Sequence, residues 1–209
     1  RWATYHATGM PPDFYNYPKE SIRYVGVLVE SAYQHVTPQL QNAYRKEISI
    51  PTGSRMLLVT GGSGGAATIN TAMRQLAPKL LQTYPDLYIV HQVGYDKLDI
   101  YKDYQRERLH VTEFLRPMYA YTGASDVVVT RAGANTIAEL GTQAKACVVV
   151  PNPLLTGGHQ VKNVEHLRLA EAILIVDEKS LKADPADLQH AITTLMNERV
   201  SLGGGIAPR

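Results

Sequence analysis

Cysteine and long hydrophobic runs are nearly absent from the sequence. Cys147 is the only cysteine among 209 residues, so no disulfide can form within the chain, which fits a reducing compartment. The longest apolar runs, 146–150 and 172–176, have five residues each, whereas a membrane-spanning helix needs roughly 20, so we expect no transmembrane segment. The chain begins at Arg1 rather than at a methionine, and we interpret it as a piece of a longer protein.

An excess of charge of one sign is also absent. The chain has 21 basic and 19 acidic residues, a formal net charge of +2, and neither sign is gathered into a block. Because a nucleic-acid-binding surface needs a basic patch or stripe, we do not expect nucleic acid as a partner. With 44% hydrophobic and 19% charged residues, the composition is that of an ordinary globular domain with a sizeable core.

The first part of the chain has no regular hydrophobic period. Residues 1–20 contain several helix breakers and are expected to be extended or loop, and a helix is expected to begin at Thr37-Pro38. Six of the 13 tyrosines lie in residues 1–44. They form either a surface layer packed on the core or a contact face for a partner domain.

From residue 54 onward, short β-branched runs alternate with segments of helical period, which predicts an α/β fold with a mostly parallel sheet. Pro78 should kink or shorten the first of these helices, and Asp184-Pro185 should begin the last one. The glycines after residue 200 should fray. The expected strands are 55–60, 87–93, 109–114, 126–130, 146–150 and 172–176.

The first unusual loop, Gly61 to Ala66, is rich in glycine and directly follows an expected strand. Glycines let the backbone approach a ligand closely, and a following helix N-terminus favours an anion, so we interpret the loop as a phosphate or diphosphate site. Neither common nucleotide pattern is complete. The acidic ribose ligand of dinucleotide folds is absent from Val90–Gly94, and no Lys-Ser or Lys-Thr follows the glycines.

Two further loops follow expected strands. In residues 130–140, Glu139 lies too far into the helix to cap it, and it either is a solvated side chain or accepts hydrogen bonds from a vicinal diol. Arg131 in the same segment is either a surface cation or a site residue. Residues 151–163 form a long loop with amide and imidazole groups suited to binding hydroxyls, although His159 by itself is equally well explained as a capping or surface residue.

The order and spacing of these loops resemble the C-terminal domain of the MurG-type glycosyltransferases. These enzymes add N-acetylglucosamine from UDP-N-acetylglucosamine to a lipid-linked muramyl-pentapeptide on the cytoplasmic face of the bacterial membrane. The resemblance spans about Ile22 to Val176 and also rests on His91–Gly94, Val111–Phe114 and Asp126–Ala134.

The resemblance implies a Rossmann-like, doubly wound parallel sheet that forms the C-terminal domain of a two-domain GT-B enzyme. Residues 1–25 would be a tail or linker from an N-terminal acceptor domain, residues 26–200 the UDP-sugar-binding domain, and residues 201–209 a disordered tail. One departure is Gly26–Glu30, which lacks the proline and arginine of the Gly-x-Pro-Val-Arg stretch that the family usually carries at its domain junction.

The resemblance also assigns roles to residues. The sets are Gly62, Ser63, Gly64 and Gly65 for the diphosphate; Phe114, Leu115 and Met118 for uracil; Glu139 for the ribose; Ala134, His159, Gln160 and Asn163 for the sugar; and Arg131, Gly133 and Thr136 as further site residues. No catalytic residue is expected in this chain, because the resemblance places the general base in the N-terminal half.

The function implied is the donor half of an inverting glycosyltransferase that uses UDP-N-acetylglucosamine without a cofactor or metal. The acceptor would be a lipid-linked peptidoglycan precursor that binds the N-terminal domain, and the full-length protein would be cytoplasmic and peripheral on the inner face of the plasma membrane. Two alternatives remain: a non-catalytic UDP-sugar-binding subunit of a two-chain glycosyltransferase, and an NAD-binding oxidoreductase domain, which the missing ribose acid disfavours.

Overall fold

The computed structural model describes residues 3–104, 106–152, 164, 167 and 173–201, with side chains as far as residue 198. The strands in this part of the chain are β1 (His6–Thr8), β2 (Ile22–Tyr24), β3 (Arg55–Thr60), β4 (Leu87–Gln92), β5 (Leu109–Thr112), β6 (Val127–Thr130), β7 (Ala146–Val149) and β8 (Leu174–Ile175). The α-helices are α1 (Pro38–Glu47), α2 (Ala67–Thr83), α3 (Met118–Ala124), α4 (Ala134–Thr142), α5 (Glu178–Ala183) and α6 (Ala186–Ser201).

Six strands form one sheet in the order β5-β4-β3-β6-β7-β8, and every neighbouring pair is parallel. The predicted α/β fold with a parallel sheet is therefore confirmed. The strand order runs outward in one direction from β3 and in the other from β6. This reversal makes a crevice at the carboxyl ends of β3 and β6, the place where open α/β sheets bind ligands.

The helices cover both faces of the sheet, because alternate side chains of the central strands point to opposite sides. Leu57 and Val59 pack in one core cluster with α2, α5 and α6, whereas Met56 and Leu58 pack in a second cluster with α1, α3 and α4. All four of these side chains have no exposed surface. This double burial explains why the strands are continuous apolar runs rather than alternating ones.

The expected strands all form, with each end within two residues of its expected position, and residue 172 lies outside the described residues. Thr37 caps α1 as predicted, with its Oγ1 accepting a hydrogen bond from the Leu40 N–H at 3.2 Å. Asp184 likewise accepts a bond at 2.9 Å from the N–H of Ala186, the first residue of α6.

Of the two effects predicted for Pro78, a kink or a shorter helix, the structure does not show the shortening, because α2 continues to Thr83. Proline removes one backbone hydrogen bond at a cost of about 3 kcal/mol or more. In α2, however, Leu76 and Ala77 before the proline and Leu80 after it are all buried in the core. We infer that this packing outweighs the lost bond.

The expectation that residues 1–20 are extended or loop holds for His6–Thr8, which is extended, although its pairing in a sheet was not expected. This segment forms β1 and pairs in parallel with β2, with His6 opposite Ile22 and Thr8 opposite Tyr24. A three-residue strand that pairs with a distant segment leaves no local period to detect. Among the tyrosines, Tyr33 is buried, whereas Tyr5 keeps 58% of its surface exposed, so the surface-layer interpretation holds for only some of them.

In the part of the chain that the structure describes, no helix combines the length and the apolar character that crossing a bilayer requires.

Candidate functional site

The glycine-rich loop after β3 lies at the crevice and owes its shape to two glycines with positive φ. Gly62 has φ +80° and Gly65 has φ +66°, a region that residues with a Cβ rarely adopt. The N–H of Gly65 donates to the carbonyl of Gly62 at 3.0 Å. A Cβ at Gly65 would lie 1.9 Å from the carbonyl oxygen of Val93, so only glycine lets these two loops pack together.

The tip of this loop presents Ser63 and Gly64 to solvent, directly before the N-terminus of α2. The residue before the helix is Ala66, whose side chain cannot accept a hydrogen bond from the first turn. The N–H groups and the positive end of the helix dipole are therefore directed toward the crevice without a side-chain cap. This arrangement suits an anion.

The loop after β4 supports the glycine-rich loop and brings a cation to it. Gly94, with φ +91°, packs against Gly65 so closely that a Cβ there would lie 2.6 Å from the Gly65 nitrogen. Lys97, three residues further on, donates from Nζ to the carbonyl of Gly64. Sequence reasoning missed Lys97. Its only signal is its position in the loop that follows a strand next to β3.

The loop after β5 contains the residues assigned to uracil. The N–H of Leu115 donates to the side-chain oxygen of Gln92 at 2.9 Å, so this N–H is already engaged. The Phe114 ring stacks on Tyr95 with 5.9 Å between centroids, and the Arg116 guanidinium lies 5.0 Å from its centroid. Met118 begins α3 and is partly buried.

The N-terminus of α4 is the second helix N-terminus at the crevice. Gly133 is its N-cap residue, Ala134 its first residue, and Thr136 lies in its first turn. Because β6 is adjacent to β3, these residues follow the strand next to the one that leads into the glycine-rich loop. The three residues therefore lie on the same edge of the sheet as the glycine-rich loop, at the start of α4.

Arg131, by contrast, is not a surface cation. Its Nη2 lies 2.6 Å from Oε1 of Glu178 at the start of α5, and its Nη1 donates to the carbonyl of Val150 at 3.1 Å. The two charged side chains are only 13% and 6% exposed. Burial by itself would raise the pKa of the Glu178 carboxyl, but hydrogen bonds from Arg131 and Thr68 hold that pKa below its usual value. The pair ties the ends of β6 and β7 to α2 and α5.

Glu139 is half-buried on α4, and the Tyr33 phenol donates a hydrogen bond to its carboxylate. Burial raises the pKa of Glu139 and the nearby Glu30 adds to the rise, whereas the hydrogen bond from Tyr33 opposes it. Tyr33 is held by an edge-on contact with Tyr119, with 6.3 Å between ring centroids. The Glu139 carboxylate is therefore hydrogen-bonded and partly shielded from solvent rather than freely solvated. The sequence gives no sign of its contact with Tyr33.

His159, Gln160 and Asn163, the remaining residues assigned to the sugar, lie outside the described residues. Of the other histidines, His91 is fully buried in β4 between Tyr101 and Asn70, at 3.0 and 3.1 Å. Burial lowers its pKa to about 3, so the ring is neutral. His91 therefore supports the loop from within and does not face the crevice as a base.

Metal-binding geometry is not found across the described ranges, in which no three His, Cys, Asp or Glu side chains come together as ligands.

The fold and the site define a class. A doubly wound parallel sheet with a glycine-rich loop and two helix N-termini at its reversal point is a Rossmann-like domain, and its similarity to a MurG crystal structure and to a glycosyltransferase family model makes it one of the GT-B glycosyltransferase type. The chain belongs to glycosyltransferase family 28, since residues 56–202 match the model of the glycosyltransferase family 28 C-terminal domain.

Curated relatives and a solved structure agree with this family. The UDP-N-acetylglucosamine–N-acetylmuramyl-(pentapeptide) pyrophosphoryl-undecaprenol N-acetylglucosamine transferase of Geotalea uraniireducens is 37% identical over 71% of this chain and 44% of the relative. The protein of the same name from Geotalea daltonii is 40% identical over 70% of this chain and 40% of the relative. The crystal structure of Acinetobacter baumannii MurG matches with a TM-score of 0.62 and 26% identity, covering 88% of this chain and 51% of that one. The chain thus spans less than half the length of these curated relatives.

The raised pKa of Glu139 predicts a pH-dependent effect of Glu139→Gln. A carboxyl whose pKa is higher in the folded state binds more protons when folded, so its ionisation lowers stability as the pH rises above about 4.5. The variant cannot ionise at this position. Its Tm relative to wild type should therefore be higher at about pH 7 than at about pH 4.

Thermal unfolding of both proteins at the two pH values measures this difference, with Glu107→Gln at an exposed position as the control for loss of one negative charge. A difference in Tm that does not change with pH would contradict the half-buried carboxylate of raised pKa described above.

Proposed function

We propose that this chain is the donor-binding half of an inverting glycosyltransferase that uses UDP-N-acetylglucosamine. The observation that carries the proposal is the uncapped N-terminus of α2 behind the glycine-rich loop, with the N-terminus of α4 beside it at the reversal of strand order. The names of the curated relatives supply the donor and the acceptor, a lipid-linked precursor of peptidoglycan. The full-length protein would act at the inner face of the membrane.

The diphosphate is proposed to bind at Ser63 and Gly64, with Gly62 and Gly65 shaping the turn. Charge on the leaving UDP would be stabilised by the two helix N-termini and by Lys97, whose ammonium group lies at the Gly64 carbonyl. These groups supply positive potential that a divalent metal provides in other sites. We therefore propose that neither a metal nor a cofactor takes part.

The uridine is proposed to bind between Leu115 and Glu139. Since the Leu115 N–H already donates to Gln92, we assign the base to the Phe114 N–H and the Leu115 carbonyl, which have no hydrogen-bond partner among the residues that the structure describes. A carboxylate has about four lone-pair positions, so Glu139 can accept both ribose hydroxyls while keeping the bond from Tyr33. The sugar would then lie near Ala134, with His159, Gln160 and Asn163 in the predicted sugar-binding set.

The reaction is a displacement at the anomeric carbon. The acceptor hydroxyl forms the new glycosidic bond as the bond to UDP breaks, with inversion, and the hydroxyl proton goes to a general base. We place that base outside this chain, in the N-terminal half that the longer relatives contain. UDP leaves as the diphosphate anion, held by the groups described above.

Binding of UDP without metal is the first test of this function. Calorimetric titration of UDP into the chain in the presence of a chelator should give a Kd unchanged from that in magnesium or manganese, because backbone and lysine groups provide the positive potential. NAD serves as the negative control and separates this function from an oxidoreductase domain. UDP binding that disappears with the chelator and returns with metal would overturn the metal-free site.

Replacement of Glu139 tests the ribose contact. Each hydrogen bond from a ribose hydroxyl to the carboxylate contributes about 1.5–3 kcal/mol before water compensates, and 1.4 kcal/mol corresponds to a factor of ten. Glu139→Ala should therefore weaken UDP binding at least about tenfold while the chain stays folded. An unchanged Kd for UDP in a folded variant would remove Glu139 from the site.

In the proposed function this chain binds the donor, and the N-terminal half supplies the general base. We therefore predict that this chain binds the donor but does not transfer the sugar. Transfer from radiolabelled UDP-N-acetylglucosamine to lipid-linked muramyl-pentapeptide should be absent with the chain alone and appear with a longer form that includes an N-terminal half. Comparable turnover by the chain alone would show that the catalytic base lies within it. Binding without transfer in every longer form would instead favour a non-catalytic UDP-sugar-binding subunit.

A further inference from the structure

Gln92, the last residue of β4, joins two loops of the site through its side chain and is only 1% exposed. Its Nε2 donates to the carbonyl of Gly62 at 3.1 Å and reaches Oγ1 of Thr60 at 3.4 Å. Its Oε1 accepts from the N–H of Leu115 at 2.9 Å. One planar amide therefore connects the glycine-rich loop after β3 with the loop after β5.

The polarity of these contacts requires an amide. The Gly62 carbonyl needs a donor and the Leu115 N–H needs an acceptor, and glutamine offers one at each end of a rigid group. The Gly62 carbonyl is also the group that closes the glycine turn, since it accepts the N–H of Gly65 at 3.0 Å. The bond from Gln92 thus holds the turn at the oxygen on which its shape depends.

We propose that Gln92 is a positioning residue that fixes the separation between the loop that binds the diphosphate and the loop that binds uracil. The inference rests on the function proposed above, which places the two ends of UDP on these two loops. Uracil and diphosphate are a fixed number of bonds apart, so a site whose loops are held at the matching separation loses less conformational entropy when both ends bind. Gln92 itself need not touch the ligand.

Two variants distinguish the role of the donor of the Gln92 amide from the role of its acceptor. Gln92→Glu keeps an oxygen for the Leu115 N–H but places a second oxygen against the Gly62 carbonyl, whereas Gln92→Met removes both bonds at similar size. Gln143→Glu is the matched control, because Gln143 is also 1% exposed and donates from Nε2 to a backbone carbonyl, that of Tyr119 at 2.9 Å. It lies at the opposite end of α4 from the crevice.

The experiment measures Kd for UDP by calorimetry and for uridine by NMR titration in the wild-type chain and the three variants. Gln92→Glu should weaken UDP binding about tenfold, the loss expected when a buried carbonyl loses its donor, and change uridine binding less than about twofold. Gln92→Met should weaken UDP binding at least as much. Gln143→Glu should leave the ratio of the two Kd values as in wild type.

The outcomes separate this inference from the proposed function. If wild type binds UDP and folded Gln92→Glu loses affinity for UDP and uridine in equal proportion, as Gln143→Glu would, the residue acts only through stability and the inference is wrong. Unchanged UDP binding in both Gln92 variants also overturns it. If wild type itself does not bind UDP, the proposed function fails, and the role of Gln92 fails with it.

Discussion

The parallel pairing of β3 with β6 is the interaction on which the site depends. Leu57 lies opposite Val127 and Thr60 opposite Thr130, so both strands end at the same level of the sheet. The chain passes from β3 to β4 on one side of this pair and from β6 to β7 on the other side. The two following loops therefore separate and leave a crevice between them. The helix N-termini of α2 and α4 come together there only because their strands are neighbours.

Buried polar contacts then fix the positions of the loops that follow the strands. Arg131 and Glu178 join β6 and β7 to α2 and α5, and Asn70 donates to the Val93 carbonyl at 2.9 Å beneath the glycine-rich loop. Such groups are costly to bury without partners, so each satisfied contact favours one loop arrangement over others. The crevice is therefore shaped by groups beneath its surface as much as by those that line it.

A site built from backbone N–H groups and helix ends has a particular chemical character. Its positive potential is distributed and fixed in place before a ligand arrives, so it costs little reorganisation when charge develops on a leaving group. Under the proposed function, the same character accounts for the small residues in the glycine-rich loop and in the turn before α4. Larger side chains there would separate UDP from the backbone groups that we propose bind it.

The local sequence determined the six strands of the large sheet, the starts of α1 and α6 and the glycine-rich loop, because burial on both faces of a sheet, capping by Thr37 and Asp184, and positive φ at Gly65 each leave a pattern within a few residues. The length of α2 and the pairing of β1 depended on packing and on partners far along the chain, which local patterns do not carry. The same applies to Arg131, Glu139 and Gln92. Whether a charged or amide side chain is solvated, paired or a link between loops depends on groups such as Glu178, Tyr33 and Leu115, which only the tertiary structure brings to it.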